Sequence, residues 1–169
     1  SSTRALRDVT EKHGQKYTAA AVGEVNVVNE MKAVNAVIGG EGNGGIIYPE
    51  LHYGRDALVG VAMFLSHLAD VKMTCSELRD AYPKYTISKN KIALEPSMDV
   101  DGILKSMAHL HREEQVDTKD GVKIDFEEEW VHLRKSNTEP IIRIYAESRS
   151  EEKAEALALK TIQEIRSFL

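Results

Sequence analysis

Cysteine is almost missing from this chain. Cys75 is the only one in 169 residues, which excludes an intramolecular disulfide and leads us to expect a reducing, cytoplasmic setting. No apolar run approaches the roughly 20 residues that a membrane-spanning helix needs, and the N-terminus has no apolar signal region; no membrane partner is expected. A basic excess is lacking too. The net charge is −5, with 22 Lys and Arg scattered among 27 Asp and Glu, whereas a nucleic-acid partner demands a concentrated positive face. What remains is ordinary globular composition, 42% hydrophobic and 29% charged, enough for one domain or two small ones.

A strand is also lacking where an α/β domain would normally feed one into its first helix. Ser1, Ser2 and Thr3 are helix-capping residues, and residues 4–13 read as a helix with Leu6 and Val9 inward and Gly14 as its stop. The chain therefore reads as cut just after the first strand of a domain. A strand over 17–22, a turn at Gly23 and a helix over 25–32 with Val25, Val28 and Met31 on one face follow. Brief strands are expected at 36–38 and 46–48. Asp56 is a natural N-cap for a helix over 57–69, apolar nearly all round through Leu58, Val61, Met63, Phe64, Leu65 and Leu68, which predicts burial. Thr74-Cys75-Ser76-Glu77 matches a capping box for one more short helix, ended by Pro83.

From Tyr85 the pattern changes. A strand or hairpin over 85–94 precedes a helix capped by Asp99, with Val100, Ile103, Leu104, Met107, Leu110 and His111 on one stripe. Asp120-Gly121 joins two short strands, the second alternating Val122, Ile124 and Phe126. Further strands at 130–135 and 141–147 flank a polar loop, and Ser150 caps a last helix striped by Ala154, Leu157, Thr161, Ile162, Ile165 and Leu169. The expected architecture is an α/β domain over 1–84, with a small mixed sheet lacking its first strand, followed by an α+β domain over 85–169. The second domain should have a four-stranded antiparallel sheet covered by two helices.

Two loops carry the chemistry. RKSNTEP at 134–140 sets Arg134, a guanidinium fork, beside Ser136, Asn137 and Thr138, and a tight turn can aim backbone N–H groups at the same point, as a phosphate dianion requires. Read alone, it is also an ordinary polar turn between strands. Arg143 lies nearby, either solvated or paired with a carboxylate. GGEGNGG at 39–45 lacks the Gly-Lys-Ser/Thr ending of a phosphate-cradling P-loop, and Glu41 would repel a phosphate. A carboxylate instead accepts from two adjacent hydroxyls, Asn43 adds a donor and an acceptor, and the glycines allow close backbone approach. The alternative is a flexible surface turn. A ligand with hydroxyls at one end and a phosphate at the other, a sugar phosphate, suits the pair.

Other motifs carry less. Asp99-Val100-Asp101-Gly102 looks like a metal loop, but helix capping explains it more simply. His109 and His111 fall on different helix faces and make no ready metal pair. Glu127-Glu128-Glu129 reads as a solvated bend. No metal ligand and no catalytic residue is assigned in the chain.

In this order and with the flanking Val22-Gly23-Glu24 and Arg55-Asp56, these loops resemble the C-terminal half of the α-D-phosphohexomutase family, over essentially the whole chain. That family interconverts the 1- and 6-phosphates of glucose, mannose or glucosamine and includes phosphoglucomutases, phosphomannomutases and phosphoglucosamine mutases. The resemblance implies most of a third and all of a fourth domain, with Glu41 and Asn43 on sugar hydroxyls and Arg134, Ser136, Asn137 and Thr138 on the phosphate that is not reacting. It also implies a phosphoserine, a bisphosphate intermediate and Mg²⁺. The family's serine loop and metal loop are in neither half of this sequence, so missing N-terminal domains are implied and the chain is expected to be inactive alone. Departures are Gly45 where bacterial members often have histidine, Asn43 where serine is common, and Ala21 where a basic residue often precedes Val-Gly; these resemble a branch seen in archaeal and some bacterial members. A non-catalytic phosphosugar-binding module is the other reading.

Overall fold

The computed structural model describes residues 2–95, 97–136 and 138–168. The chain divides into two compact units, 1–84 and 85–169.

In the first unit, α1 (Ala5–Lys12) and α2 (Glu24–Val34) precede a two-stranded antiparallel ribbon of β1 (Gly39–Gly40) and β2 (Ile46–Ile47), registered Gly39 to Ile47 and Gly40 to Ile46. α3 (Ala57–Val71) and α4 (Cys75–Ala81) complete it. Local signals place the helix starts. Asp56 accepts from the backbone N–H of Leu58 and Val59 at 2.9 and 3.0 Å, and Thr74 with Glu77 forms a reciprocal capping box. The small sheet differs from expectation in extent. Residues 17–22 and 36–38 join no ladder, and pairing begins instead inside the glycine run. A strand needs a ladder of hydrogen bonds to a neighbouring strand, and the segment 17–22 runs outside both sheets.

α3 also departs from the expected burial. Leu58 is 82% and Leu65 58% exposed, and Val61 and Phe64 are exposed as well. A two-residue-wide ribbon covers one stripe only. Gly60 sits on that stripe, where an added Cβ would meet Ile46 Cγ1 at 2.9 Å; the missing side chain lets the helix lie close on β2.

In the second unit, β3 (Thr86–Ala93), α5 (Val100–Leu110), β4 (Gln115–Asp117), β5 (Val122–Asp125), β6 (Trp130–Lys135), β7 (Ile141–Ser148) and α6 (Glu151–Arg166) follow in order. The strands form one antiparallel sheet ordered β3-β7-β6-β5-β4. It has five strands rather than four, because short β4 pairs along the outer edge of β5. Alternation sends Ile92, Val122, Ile124, Val131, Leu133, Ile142 and Ile144 to one face, where Ile103, Leu104 and Met107 of α5 and Leu157, Ala158 and Ile165 of α6 cover them. Asp99 and Ser150 cap these helices through Gly102 N and Lys153 N. Leu169, expected on the last stripe, lies outside the described residues. Among the described residues no single helix is long and apolar enough to cross a membrane.

Candidate functional site

The glycine loop is a hairpin connection built from its own hydrogen bonds. Glu41 N–H donates to Gly45 O at 3.0 Å, Gly44 N–H to Glu41 O at 3.0 Å, and Gly45 N–H to Asn43 Oδ1 at 3.2 Å. Asn43 therefore spends its acceptor inside the loop, and its amide N–H₂ is what it can offer a ligand. Gly44 has φ +96°, in the region that favours glycine. The Glu41 carboxylate is largely enclosed, with 16% of its side-chain surface exposed, and the Arg55 Nη1 lies 4.0 Å from its Oε2.

Arg55 is held in turn by Glu24, the first residue of α2. One carboxylate oxygen accepts from the Arg55 backbone N–H at 3.3 Å and the other lies 2.9 Å from Nε. Glu24, Asn43, Gly44, Gly45, Gly54, Arg55, Asp56 and Ala57 line an open groove of about 690 Å³. Beside it the Asp56 Oδ2 lies 3.2 Å from the His52 ring Nε2. The two backbone N–H groups of the α3 cap, Val59 first, and then His52 hold the Asp56 carboxyl below its ordinary value.

Arg134 is the penultimate residue of β6, and its Cα is registered opposite Arg143 of β7, which is itself opposite Lys91 of β3. Like charges facing across strands destabilise a sheet, so a row of three cations beside a donor-rich loop suits an anion. Arg143 is the member that sequence reasoning left undecided; its Nη2 is 4.0 Å from Glu139 Oε2. Its signal was strand alternation, which puts Arg134 and Arg143 on one face.

Within the loop, Ser136 N–H donates to Ile141 O at 3.1 Å. The Ser136 and Thr138 hydroxyls approach to 3.4 Å, and Thr138 N–H points at Ser136 Oγ at 3.4 Å. Two hydroxyls and a backbone donor thus gather in one turn. Asn137, expected to share this role, lies outside the described residues. Lys135 turns away, its Nζ bonded to Asp101 of α5 at 2.7 and 2.9 Å.

Sequence reading missed how Arg134 is supported. Its Nε lies 3.0 Å from Asp120 Oδ2, without the alignment of a hydrogen bond, so the contact is Coulombic. The His132 ring, on the same face of β6, reaches the Asp120 backbone O at 2.6 Å. A carbonyl only accepts, so Nε2 carries the proton and donates. Burial pushes the His132 pKa down to about 4. Gly121, at φ +78°, has no room for a Cβ beside Leu133 O and would meet the Arg134 Cα at 3.2 Å. The turn is thereby pressed onto β6 at the residue it supports.

The metal-like motifs hold none of this. Among the described residues no three His, Cys, Asp or Glu side chains come together as a metal site, so the residues present do not fit the Mg²⁺ implied by the resemblance. Asp99 caps α5, and the His111 Nε2 lies 2.9 Å from Glu164 Oε2 of α6.

Comparison with known proteins identifies the family of both units. The profile described as phosphoglucomutase/phosphomannomutase, alpha/beta/alpha domain III, matches residues 1–85, and that of the family's C-terminal domain matches residues 89–164. The chain belongs to the phosphoglucomutase/phosphomannomutase family. Among similar family members, a phosphoglucomutase/phosphomannomutase of Thermococcus kodakarensis is 38% identical over 94% of this chain and 36% of its own length. A phosphoglucosamine/phosphogalactosamine mutase of Sulfurisphaera tokodaii is 37% identical over 97% of this chain and 37% of its own. A crystal structure of a family protein from Burkholderia thailandensis superposes with a TM-score of 0.78, over 98% of this chain and 35% of that one, at 21% identity; this likeness bears on the fold alone. The chain thus spans about a third of the length of the relatives it matches.

Proposed function

We propose that this chain is the substrate-binding C-terminal part of a phosphohexomutase that interconverts hexose 1- and 6-phosphates. The carrying observation is the two-loop chemistry. An enclosed carboxylate with an amide donor sits in one family domain, and an arginine with two hydroxyls and a backbone donor gathers in the next. Names of similar proteins cover glucose, mannose, glucosamine and galactosamine phosphates, and nothing in the groove selects among them.

In the proposed cycle a phosphoserine outside this chain passes its phosphoryl group to the free hydroxyl of a hexose monophosphate. The serine P–O bond breaks as the sugar P–O bond forms, and the proton of the sugar hydroxyl ends on the released serine oxygen. The resulting bisphosphate returns its other phosphoryl group to serine. Throughout, Arg134, Ser136, Asn137 and Thr138 hold the idle phosphate by charge-assisted and neutral hydrogen bonds. Glu41 accepts from a pair of sugar hydroxyls in either orientation of the intermediate, and Asn43 donates. Mg²⁺, where the full-length enzyme uses it, would be held by residues outside this chain, and the chain alone is expected to be inactive. We place the enzyme in the cytoplasm.

The test is turnover of glucose 1-phosphate, mannose 1-phosphate and glucosamine 6-phosphate by the full-length protein. Arg134→Ala is expected to weaken binding of the substrate phosphate by about 2–3 kcal/mol. Glu41→Ala is expected to abolish sugar recognition while leaving inhibition by inorganic phosphate intact. Saturable binding without turnover would replace the mutase with a phosphosugar-binding module. An unchanged kcat/KM in Arg134→Ala would remove that loop from the site.

A further inference from the structure

The first loop has an acceptor-only carboxylate, yet a sugar hydroxyl both donates and accepts. A site built on Glu41 needs a donor on the other side of the same hydroxyl, and Asn43 is partly committed to its own turn. Arg55 stands where that donor is required. Its Nη1 is 4.0 Å from Glu41 Oε2, too far for a direct hydrogen bond. An oxygen at about 2.8 Å from both atoms would see them about 90° apart, an ordinary angle for a hydroxyl that accepts from one and donates to the other.

Two further features tie Arg55 to this place. Glu24 holds its backbone N–H and its Nε at once, so the inner edge of the guanidinium is anchored and the Nη end is set beside the groove. Gly45, the last loop residue, supplies the room: an added Cβ would meet the Arg55 Cδ at 2.7 Å and Cγ at 3.2 Å. Gly45 has no positive φ, so the backbone does not demand glycine there. The passage of the arginine stem does.

We propose that Arg55 is a substrate-binding residue, donating to a sugar hydroxyl that in turn donates to Glu41, and that Gly45 is glycine to admit it. This rests on the hexose-phosphate reading of the loop. It extends the site to Val22-Gly23-Glu24 and Arg55-Asp56, two segments about thirty residues apart that are joined by this ion pair. The ligand class is a hexose phosphate bound by its hydroxyl edge, with Arg55 acting as a hydrogen-bond donor and not as a phosphate clamp, since Glu24 and Glu41 flank it on both sides.

The experiment is calorimetric titration of the full-length protein with glucose 1-phosphate, and separately with inorganic phosphate, for Arg55→Ala, Arg55→Lys, Gly45→Ala, Glu41→Ala and the Gly45→Ala/Arg55→Ala pair. Arg55→Ala should weaken glucose 1-phosphate by about 10- to 100-fold, the range for a charged donor, and leave inorganic phosphate unchanged. Gly45→Ala should weaken the sugar phosphate in the same way and add little once Arg55 is alanine. Arg55→Lys should not restore binding, because a single ammonium cannot keep both the Glu24 anchor and the ligand bond. Should Arg55→Ala fail to fold, Arg55→Lys and Gly45→Ala carry the same test. Undiminished glucose 1-phosphate binding in the Arg55 variants overturns the proposal, as does a full additive loss in the double variant. If Glu41→Ala also binds normally, the loop reading itself falls; if only the Arg55 variants do, the loop reading stands and this extension does not.

Discussion

The sheet of unit 85–169 has one face closed by α5 and α6, with Leu133, Ile142 and Ile144 fully buried, whereas α3 in unit 1–84 presents Leu58, Val61, Phe64 and Leu65 to solvent. The two candidate loops inherit this difference. Arg134 lies in, and Ser136 follows, a strand whose inward residues Val131 and Leu133 are buried, and the turn that supports Arg134 is pressed against the same strand. Glu41 and Asn43 sit on a ribbon two residues wide, and what fixes them is local: turn hydrogen bonds and the Glu24–Arg55–Glu41 chain of charges. One candidate loop is positioned by a core and the other by polar contacts, and the two should fail in different ways.

The largest expected contrast is in stability. Leu133→Ala empties a fully buried position and should cost about 3–4 kcal/mol. Leu65→Ala, on the open side of α3, should cost well under about 1 kcal/mol, since leucine and alanine are both strong helix formers. Urea denaturation of each variant measures it. Similar losses would mean that α3 is covered in solution, and the comparison between the units would break.

A second contrast is in acid sensitivity. His132 is buried and neutral, with its pKa pushed down to about 4 from 6.5. In the unfolded chain it takes up a proton near pH 6.5, so between those values the unfolded state binds more protons and acidification favours unfolding. The contribution is fully present above about pH 6.5 and is lost progressively down to about pH 4, to a limit of about 3 kcal/mol. Denaturation midpoints between pH 7 and pH 4 should fall with that slope, and His132→Gln should flatten it. A slope unchanged by the substitution would assign the acid sensitivity to other groups.

What could be read along the chain follows the same division. Caps at Asp56, Thr74, Asp99 and Ser150 were legible because the rule links neighbours in sequence. The stripes of α5 and α6 were legible because both helices cover a complete face, except at Leu110, which ends α5 and is exposed. The Gly39–Gly40 strand was not, since glycine has low strand preference and only pairing with Ile46–Ile47 makes it extended. β4, with Val116 as its one central apolar residue, was read as the first of the two short strands joined at Asp120-Gly121 but left out of the four-stranded sheet. The burial of α3 was misjudged because hydrophobic composition states what a helix can bury, not what covers it. In the candidate loops, the residue types behind the proposed roles were readable from the sequence itself. Their supports were not, because Glu24–Arg55 and Asp120–Arg134 join residues far apart in sequence and only the fold brings them together.

The finest prediction concerns that last pair. Asp120→Asn is a near-isosteric change that removes the carboxylate charge beside Arg134, and it keeps the turn, because Asn-Gly supports tight hairpin turns as well as Asp-Gly does. Both side chains are about three-quarters buried, so the lost attraction is only partly screened and should be worth about 1 kcal/mol. With the guanidinium less firmly held, the full-length protein should show a severalfold higher KM for glucose 1-phosphate at nearly constant kcat, beside a stability loss of no more than about 1 kcal/mol. In an Arg134→Ala background the same substitution should do nothing to KM. A purely structural role for Asp120 would leave the KM effect independent of Arg134, so the double variant separates the two. If Asp120→Asn raises KM equally with and without Arg134, the phosphate loop is not held through this turn, and the rigidity ascribed to the second candidate loop would have to come from β6 and β7 alone.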